Sequence, residues 1–354
     1  MDDVAVLKAL LEAYSPSGRE EPAVRAFVAM ARTLGFTTHV DAVGNGFARR
    51  GSGKPQVMFL GHIDTVEGDL PVAVKDGAIT GRGACDAKGA LAAALVAASR
   101  HTGPGEIVIV AAVGEEKDSR GARHLIPRHS PDLLVVGEPS GWQRVTVGYK
   151  GNLSATLEFT GERMHLSAPN ATTVETALAF LQRLREFCWD HRGETPYTSL
   201  TAKVHTMQTR REGSRETVEV GVNFRLPRAV RCADIVQFLE ENDLAGHYRV
   251  TDQSEAAEVD RSNPVVRALL AGIRRQDGNP TILRKTGTAD LNLALPVWGV
   301  PAAVYGPGDS HLDHTDGEKL EIAEYRHAIE VLSAAFGSLL SGVPATARRA
   351  LARA

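Results

Sequence analysis

Between residues 58 and 138 the chain sets one imidazole and several carboxylates at short, glycine-bounded intervals. In order these are Met58-Phe-Leu-Gly-His62-Ile-Asp64-Thr-Val66, Gly81-Arg-Gly-Ala-Cys-Asp86-Ala-Lys-Gly89, Val113-Gly-Glu115-Glu116 and Val135-Val-Gly-Glu138-Pro139. Carboxylates crowded into one cleft repel, and they protonate unless cations neutralise them. Two divalent metals would do so, with an Asp between them as a bridge and one adjacent Glu left free to take a proton from water. Glu115 and Glu116 are neighbours whose side chains diverge at an extended strand end, so one can ligate while the other serves as base. Asp64, two residues beyond His62, can hold the second imidazole nitrogen in the right tautomer. A second imidazole is still needed, and His314 in Leu312-Asp-His-Thr-Asp-Gly317 is a candidate, with His311 competing for the place.

Positioning these groups falls to the apolar runs that precede them. Val57–Leu60, Ile107–Val113 and Leu133–Val136 read as buried parallel strands. Open α/β sheets form their sites in the crevice beyond the carboxyl ends of the strands, so each ligand segment is expected to end or follow a strand. Residues 2–35 carry apolar positions at helical spacing, broken at Ser15-Pro-Ser-Gly18, where a second helix can be capped before Glu20. The two helices are expected to cover one face of the sheet. His39–Phe47 reads as a strand with a turn at Gly44-Asn-Gly46, and the Ala- and Leu-dense Ala90–Ser99 as a helix behind the site.

From Gly151 the pattern changes. Leu153–Phe159, Leu200–Met207, Thr217–Leu226 and Tyr248–Val259 read as strands, and Thr172–Phe187 and Ala233–Glu241 as helices, in the β-α-β-β-α-β order of a ferredoxin-like unit. Asn263-Pro264 then opens a helix and the motif-rich tail returns. A catalytic domain built from 1–150 and 262–354, with an insert at 151–261, is the expected organisation. The last residues, Ala345–Ala354, read as a frayed helix end. Arg210, Arg211 and Arg215 cluster in a hairpin loop of the insert, either a solvated tip or a basic patch.

Taken together, Gly-His-Ile-Asp-Thr-Val, Gly-Arg-Gly-Ala-Cys-Asp-Ala-Lys-Gly, Gly-Glu-Glu, Gly-Glu-Pro and a late His-Thr resemble the dinuclear-zinc M20 family of amidohydrolases and peptidases, in the right order over the whole chain. The resemblance implies a zinc-peptidase-like mixed β-sheet flanked by helices, with an inserted ferredoxin-like α+β domain that serves as dimerisation surface and lid. It implies His62, Asp86, Glu116, Glu138 and His314 as metal ligands, Asp86 bridging, and Glu115 as general base with Asp64 beside His62. His314 is preferred to His311 because the family ligand directly precedes Thr or Ser. The peptide after Asp86 is cis in the family. Gly161-Glu-Arg-Met-His165-Leu-Ser-Ala-Pro169 resembles the family turn whose His reaches the partner subunit's site and stabilises the oxyanion; an exposed turn histidine is the plainer alternative. Arg225 in Asn223-Phe-Arg-Leu-Pro227 matches an arginine that binds the product carboxylate, and Lys285-Thr-Gly287-Thr288-Ala-Asp290 resembles the substrate-contacting Gly-Thr loop.

Glu138-Pro-Ser-Gly-Trp142, Val147-Gly-Tyr-Lys-Gly151 and Gly306-Pro-Gly-Asp-Ser310 are most similar to the branch that releases lysine or ornithine from an amino-group carrier protein in lysine and arginine biosynthesis, once described as N-acetyl-lysine deacetylases. That implies an amide hydrolase with two zinc ions, cobalt or manganese being alternatives, acting as a homodimer on an acidic carrier. Deacylation of a small N-acyl amino acid of the acetyl-lysine, acetylornithine or succinyl-diaminopimelate type, or dipeptide cleavage, shares the same chemistry. A metal-free binding protein is the alternative from another class.

The 354 residues suffice for about two domains. A formal charge of −3 argues against nucleic acid as partner. No apolar run approaches the roughly 18 residues of a membrane span, and Met-Asp-Asp does not open a signal peptide, so a cytosolic protein without membrane attachment is expected. Cys85, Cys188 and Cys232 form no Cys-x-x-Cys pair, which speaks against a disulfide framework or a zinc knuckle.

Overall fold

The computed structural model describes residues 2–165, 167–244 and 247–341, so the expected helix end at Ala345–Ala354 lies outside the described residues. Two compact units emerge. The first comprises Met1–Val147, Val259–Leu283 and Ala289–Ala354, the second Gly148–Glu258 and Arg284–Thr288.

The first unit begins with helices α1 (Asp3–Glu12) and α2 (Glu21–Thr33) and strands β1 (Thr37–Val40), β2 (Gly46–Ser52), β3 (Gln56–His62), β4 (Ala73–Lys75) and β5 (Ala78–Thr80). Then come α3 (Lys88–Ser99), β6 (Gly105–Ala112), α4 (Arg120–Leu125), β7 (Leu133–Gly137) and β8 (Arg144–Tyr149). The second unit holds β9 (Gly151–Glu162), α5 (Thr173–Asp190), β10 (Thr201–Glu212), β11 (Arg215–Leu226), α6 (Cys232–Leu239), β12 (Tyr248–Ser254) and β13 (Ala257–Glu258). The chain continues through α7 (Pro264–Arg275), β14 (Thr281–Lys285), α8 (Asp290–Trp298), β15 (Ala302–Val304), β16 (Lys319–Glu321) and α9 (Ile322–Ser341).

The large sheet runs β1-β2-β6-β3-β7-β15-β8. Its centre is parallel, β3 pairing with β6 and β7, and β7 with β15, while β2 and β8 join antiparallel. Val57, Met58, Phe59 and Leu60 are fully buried, as are Ile107 to Ala112, which is why these strands read as unbroken apolar runs. Helix α3 is buried along nearly its whole length, packing on β3 and β6 and against α1 and α9. Its small side chains permit that close approach. Parallel centre, antiparallel flanks and covering helices make this a mixed α/β fold.

Several sequence expectations need correction. Residues His39–Phe47 form two strands rather than one, because Asp41 accepts the amides of Val43 and Asn45 and closes a turn between β1 and β2. Ser15 and Ser17 do not cap α2. Their hydroxyls go to Ile63 O and Asp64 Oδ2, and Glu20 at the helix start makes no side-chain cap. Helix α1 packs on α3 and α2, whereas α2 lies along β1 and β2. Asp86 does not end a strand of the large sheet. It lies between α3 and β5, which pairs with β4 and β16 in a separate three-stranded sheet. The peptide Asp86–Ala87 is cis.

In the second unit the sheet order is β10-β11-β9-β12, antiparallel throughout, with α5 and α6 on one face. Alternation on β11 buries Val218, Val220, Val222 and Phe224 against the helices and leaves Asn223 and Arg225 on the other face. The short segment Arg284–Thr288 groups here through Arg284 to Glu258, the amide of Lys150 to Lys285 O, and Arg225 Nη1 to Thr288 Oγ1. All three cysteines are free.

One close approach tests this packing. A Cβ added at Gly306, just past β15, would stand 2.6 Å from Ala90 Cβ on α3 and 2.7 Å from Glu138 O. We expect Gly306→Ala to overpack this contact and cost about 1–3 kcal/mol, read as a lower denaturation midpoint. An unchanged midpoint would show that α3 and the Glu138 segment yield freely.

Candidate metal centre

Register brings the candidate ligand segments level. His62 pairs with Ala112, and Gly61 with both Ala111 and Gly137, so β3, β6 and β7 end side by side. His62 is the last residue of β3, Glu138 follows β7 directly, and Glu115 and Glu116 lie just beyond β6. Asp86 arrives from the segment before α3 and His314 from the loop before β16.

His62 Nε2 stands 3.1 Å from Asp86 Oδ1, and His314 Nε2 stands 3.2 Å from Asp86 Oδ2 and 3.0 Å from Glu116 Oε1. Donor atoms of His62, Asp86 and Glu138 lie within 4.8 Å of one another, and so do those of Asp86, Glu116 and His314. Asp86 belongs to both groups. A divalent ion holding nitrogen and oxygen at about 2.0–2.2 Å sets neighbouring donors roughly 3.3 Å apart, so the donors already have ligand spacing. The tautomer fits as well. His62 Nδ1 lies 3.0 Å from Asp64 O, and since a carbonyl only accepts, Nδ1 carries a hydrogen, so Nε2, the nitrogen facing Asp86, is the one a neutral ring would offer to a cation.

The carboxylate of Asp64 makes contacts that its spacing from His62 does not announce. Its Oδ1 is 3.6 Å from His62 Nδ1, farther than the carbonyl, and instead accepts the Glu115 amide at 3.0 Å. Oδ2 accepts the Glu116 amide at 3.1 Å and the Ser17 hydroxyl at 2.7 Å. One buried carboxylate thus ties the end of β3 to the Glu115–Glu116 turn. The Ser15-Pro-Ser-Gly break, an unusual polar interruption between helices, was the available signal.

Electrostatics follow from crowding. Burial pushes the Glu115 carboxyl well above its ordinary range, with Glu138, Asp290 and Glu116 adding to the shift and His62 opposing it. Glu116 is raised by burial and by Asp86, against the pull of His314 and His62. Burial would also raise Asp86, but hydrogen bonds from His314 and His62 hold it below the usual carboxylate range. The carboxylates of Asp86 and Glu116 lift His314 to about 10. Asp290, the first residue of α8, is buried, which raises its carboxyl to about 7, and its Oδ1 has no hydrogen-bond partner among the described residues. In the sequence, the Gly-Thr resemblance of that loop points to Gly287 and Thr288, not to Asp290. Buried Lys88 donates to Leu10 O at 3.0 Å and Ala13 O at 2.8 Å, anchoring the segment after Asp86 to the end of α1.

The remaining sequence candidates belong to neither donor group. His165 is exposed in the turn after β9, with Nδ1 2.7 Å from Ser167 Oγ. Asn223 Nδ2 donates to Asn152 Oδ1 and Ser154 Oγ on the same sheet face as Arg225. Gly287 and Thr288 belong to the second unit with them. His311 is exposed and joins neither donor group.

Residues 58–337 match the model of Peptidase family M20/M25/M40. The chain belongs to the M20 peptidase family. A relative from Deinococcus radiodurans, named LysW-lysine hydrolase, is 36% identical over 338 residues, covering 91% of this chain and 93% of its own. Another from Thermococcus kodakarensis, provisionally named as a LysW-lysine/LysW-ornithine hydrolase, is 37% identical over 332 residues, covering 94% of this chain and 90% of its own. Among solved structures, the aminopeptidase PepT from Bacillus cereus has a TM-score of 0.74 at 17% identity, over 95% of this chain and 98% of that one, a likeness of fold. Membership in this family implies divalent metal ions, and the two donor groups sharing Asp86 fit them.

A cation binding only the folded chain stabilises it by about 4 kcal/mol at a thousand-fold excess over its Kd. Chelator-treated protein is therefore expected to melt lower at neutral pH and to recover on adding a divalent metal, as thermal scans would record. A melting temperature indifferent to both treatments would count against a metal centre.

Proposed function

We propose that this protein hydrolyses the amide joining a carboxyl group of a carrier protein to the α-amino group of lysine or ornithine, in lysine or arginine biosynthesis. The observation that carries the reading is likeness over nine-tenths of both chains to relatives named for LysW-lysine hydrolysis. It is supported by a site in which each ligand type and a base are present.

In this reading His62, Asp86 and Glu138 would hold one divalent cation and Asp86, Glu116 and His314 the other. Such cations supply Lewis acidity toward the amide carbonyl and lower the cost of deprotonating water. Mixed imidazole and carboxylate donors suit zinc, with cobalt and manganese as further matches. Glu115 takes a proton from the attacking water and later delivers it to the leaving amine. Asp64 keeps this base in place by gripping its amide. His165 from a second subunit is the candidate donor to the tetrahedral oxyanion, a contribution that can be worth about 10²–10³ in rate. Arg225, whose guanidinium fork suits a carboxylate, is the candidate contact for the product, beside Asn223, Gly287 and Thr288.

A homodimer through the second unit is part of the proposal. Strand β10 is exposed along its length at the edge of its sheet, and Val204 and Met207 on it, with Leu178 and Trp189 on α5, leave apolar surface in solvent. Such edges invite pairing. The β10–β11 hairpin offers Arg210 and Arg215 to an acidic carrier, whereas Arg211 is engaged by Glu216 at 2.7 Å. No helix among the described residues is long and apolar enough to cross a membrane, and a cytosolic setting completes the reading.

Glu115→Ala is expected to keep both cations yet lose turnover by about 10²–10⁴, the usual span for a general base; loss of a cation would mean that base and ligand are exchanged. Replacing Val204 by Lys and Trp189 by Glu together should give a monomer by sedimentation, and an unchanged mass would remove this surface from the interface. The deciding experiment compares amino-acid release from a lysine-charged carrier protein and from N-acetyl-lysine at equal concentration. Much faster release from the carrier supports the proposal. Equal or faster release from the small amide makes the protein a general deacylase.

A further inference from the structure

Beside the ligands lies a buried ion pair that the mechanism leaves unused. Arg82 is 4% exposed and Glu318 2%, and Arg82 Nη1 stands 3.1 Å from Glu318 Oε2. Apolar residues of similar volume would stabilise a fold as well as a buried pair does, so its remaining hydrogen bonds call for explanation. Glu318 Oε1 accepts the amides of Cys85 at 3.0 Å and Asp86 at 3.2 Å. Arg82 Nη1 donates to Thr315 O and its Nε to Gly68 O, both at 2.8 Å. One pair therefore grips the peptide that enters Asp86 and the Thr315–Asp316 peptide, one residue beyond His314. Asp316, 3.7 Å from Arg82 Nη2, is fully exposed and adds little.

His314 needs such a hold. Its φ is +63°, a left-handed conformation that a non-glycine residue adopts only when its surroundings impose it. Its side chain is half exposed, so packing does not fix it. What fixes the loop is a turn from Leu312 O to the Thr315 amide and hydroxyl, and Arg82 on Thr315 O.

We propose that Arg82 and Glu318 act as a positioning clamp that sets the reach between Asp86 and His314, and thereby the affinity for the cation held by Asp86, Glu116 and His314. This rests on the ligand assignment given under the proposed function. The clamp does not touch His62 or Glu138, and although Asp86 serves both donor groups, only the cation completed by His314 has two of its ligands tied to the clamp, so the effect should fall chiefly on that one.

Arg82→Lys keeps the charge beside Glu318, but a single ammonium cannot serve Gly68, Thr315 and Glu318 as the guanidinium fork does. Glu318→Asp keeps the charge and shortens the reach. Metal-free protein of each variant, with its melting temperature recorded, would be titrated calorimetrically with zinc or cobalt alongside wild type and His314→Ala. We expect wild type to bind two cations and each clamp variant to bind one of them about 10–100-fold more weakly, the same one that His314→Ala loses. Equal weakening of both cations in step with the melting temperature, wild-type affinity for both, or failure of both variants to fold would make the pair merely structural and overturn the clamp. A wild-type protein that binds fewer than two cations overturns the ligand assignment itself, a separate failure.

Discussion

Asp64, Asp86, Glu115, Glu116 and Glu138 converge beyond the ends of parallel strands, and like charges so close cannot all remain ionised without positive charge among them. The surroundings supply it in graded forms. His62 and His314 lie against Asp86; backbone amides and a serine hydroxyl are spent on Asp64; Arg82 meets Glu318, one step removed. Glu115 feels only the charge of His62 against its shift, and burial drives its carboxyl well toward the neutral form.

That arrangement depends on strand register more than on any single contact. Parallel pairing of β3 with β6 and β7 sets His62, Ala112 and Gly137 at one level, after which each chain has only a residue or a few to reach the site. A Cβ at Gly137 would stand 2.5 Å from the Phe59 ring, so glycine there leaves room for that side chain, and the small residues of α3 let the helix lie close to the sheet. The second unit answers a different demand. Its sheet buries one face under α5 and α6 and keeps the other polar, with Asn152, Asn223 and Arg225 along it.

Much of this was legible in the residues alone because the signals are of kinds that local chemistry controls. Unbroken apolar runs ending in glycine located β3, β6 and β7, and alternation located the strands of the second unit. The donor atoms of His62, Asp86 and Glu138, and those of Asp86, Glu116 and His314, lie close together, with Glu115 next to Glu116 in the chain. What escaped was what depends on distant partners. Ser17 looked like a helix cap because nothing nearby in the chain announces Asp64 as its acceptor. Asp86 looked like a strand end, yet the short β5 before it joins β4 and β16. Arg82 and Glu318 are unremarkable charged residues until folding buries them side by side, and Asp290 resembles an ordinary helix-start carboxylate.

The interleaving of the two units also has a temporal side. A ribosome releases His62, Asp86 and Glu138 before any of the second unit exists, and His314 with Glu318 only after it. At about 5–20 residues per second the two donor groups become available roughly ten to thirty-five seconds apart. During that interval the nascent chain carries Asp86 without its second imidazole and Arg82 without its counter-ion, so the first half of the protein must wait, incompletely neutralised, for its own C-terminal portion.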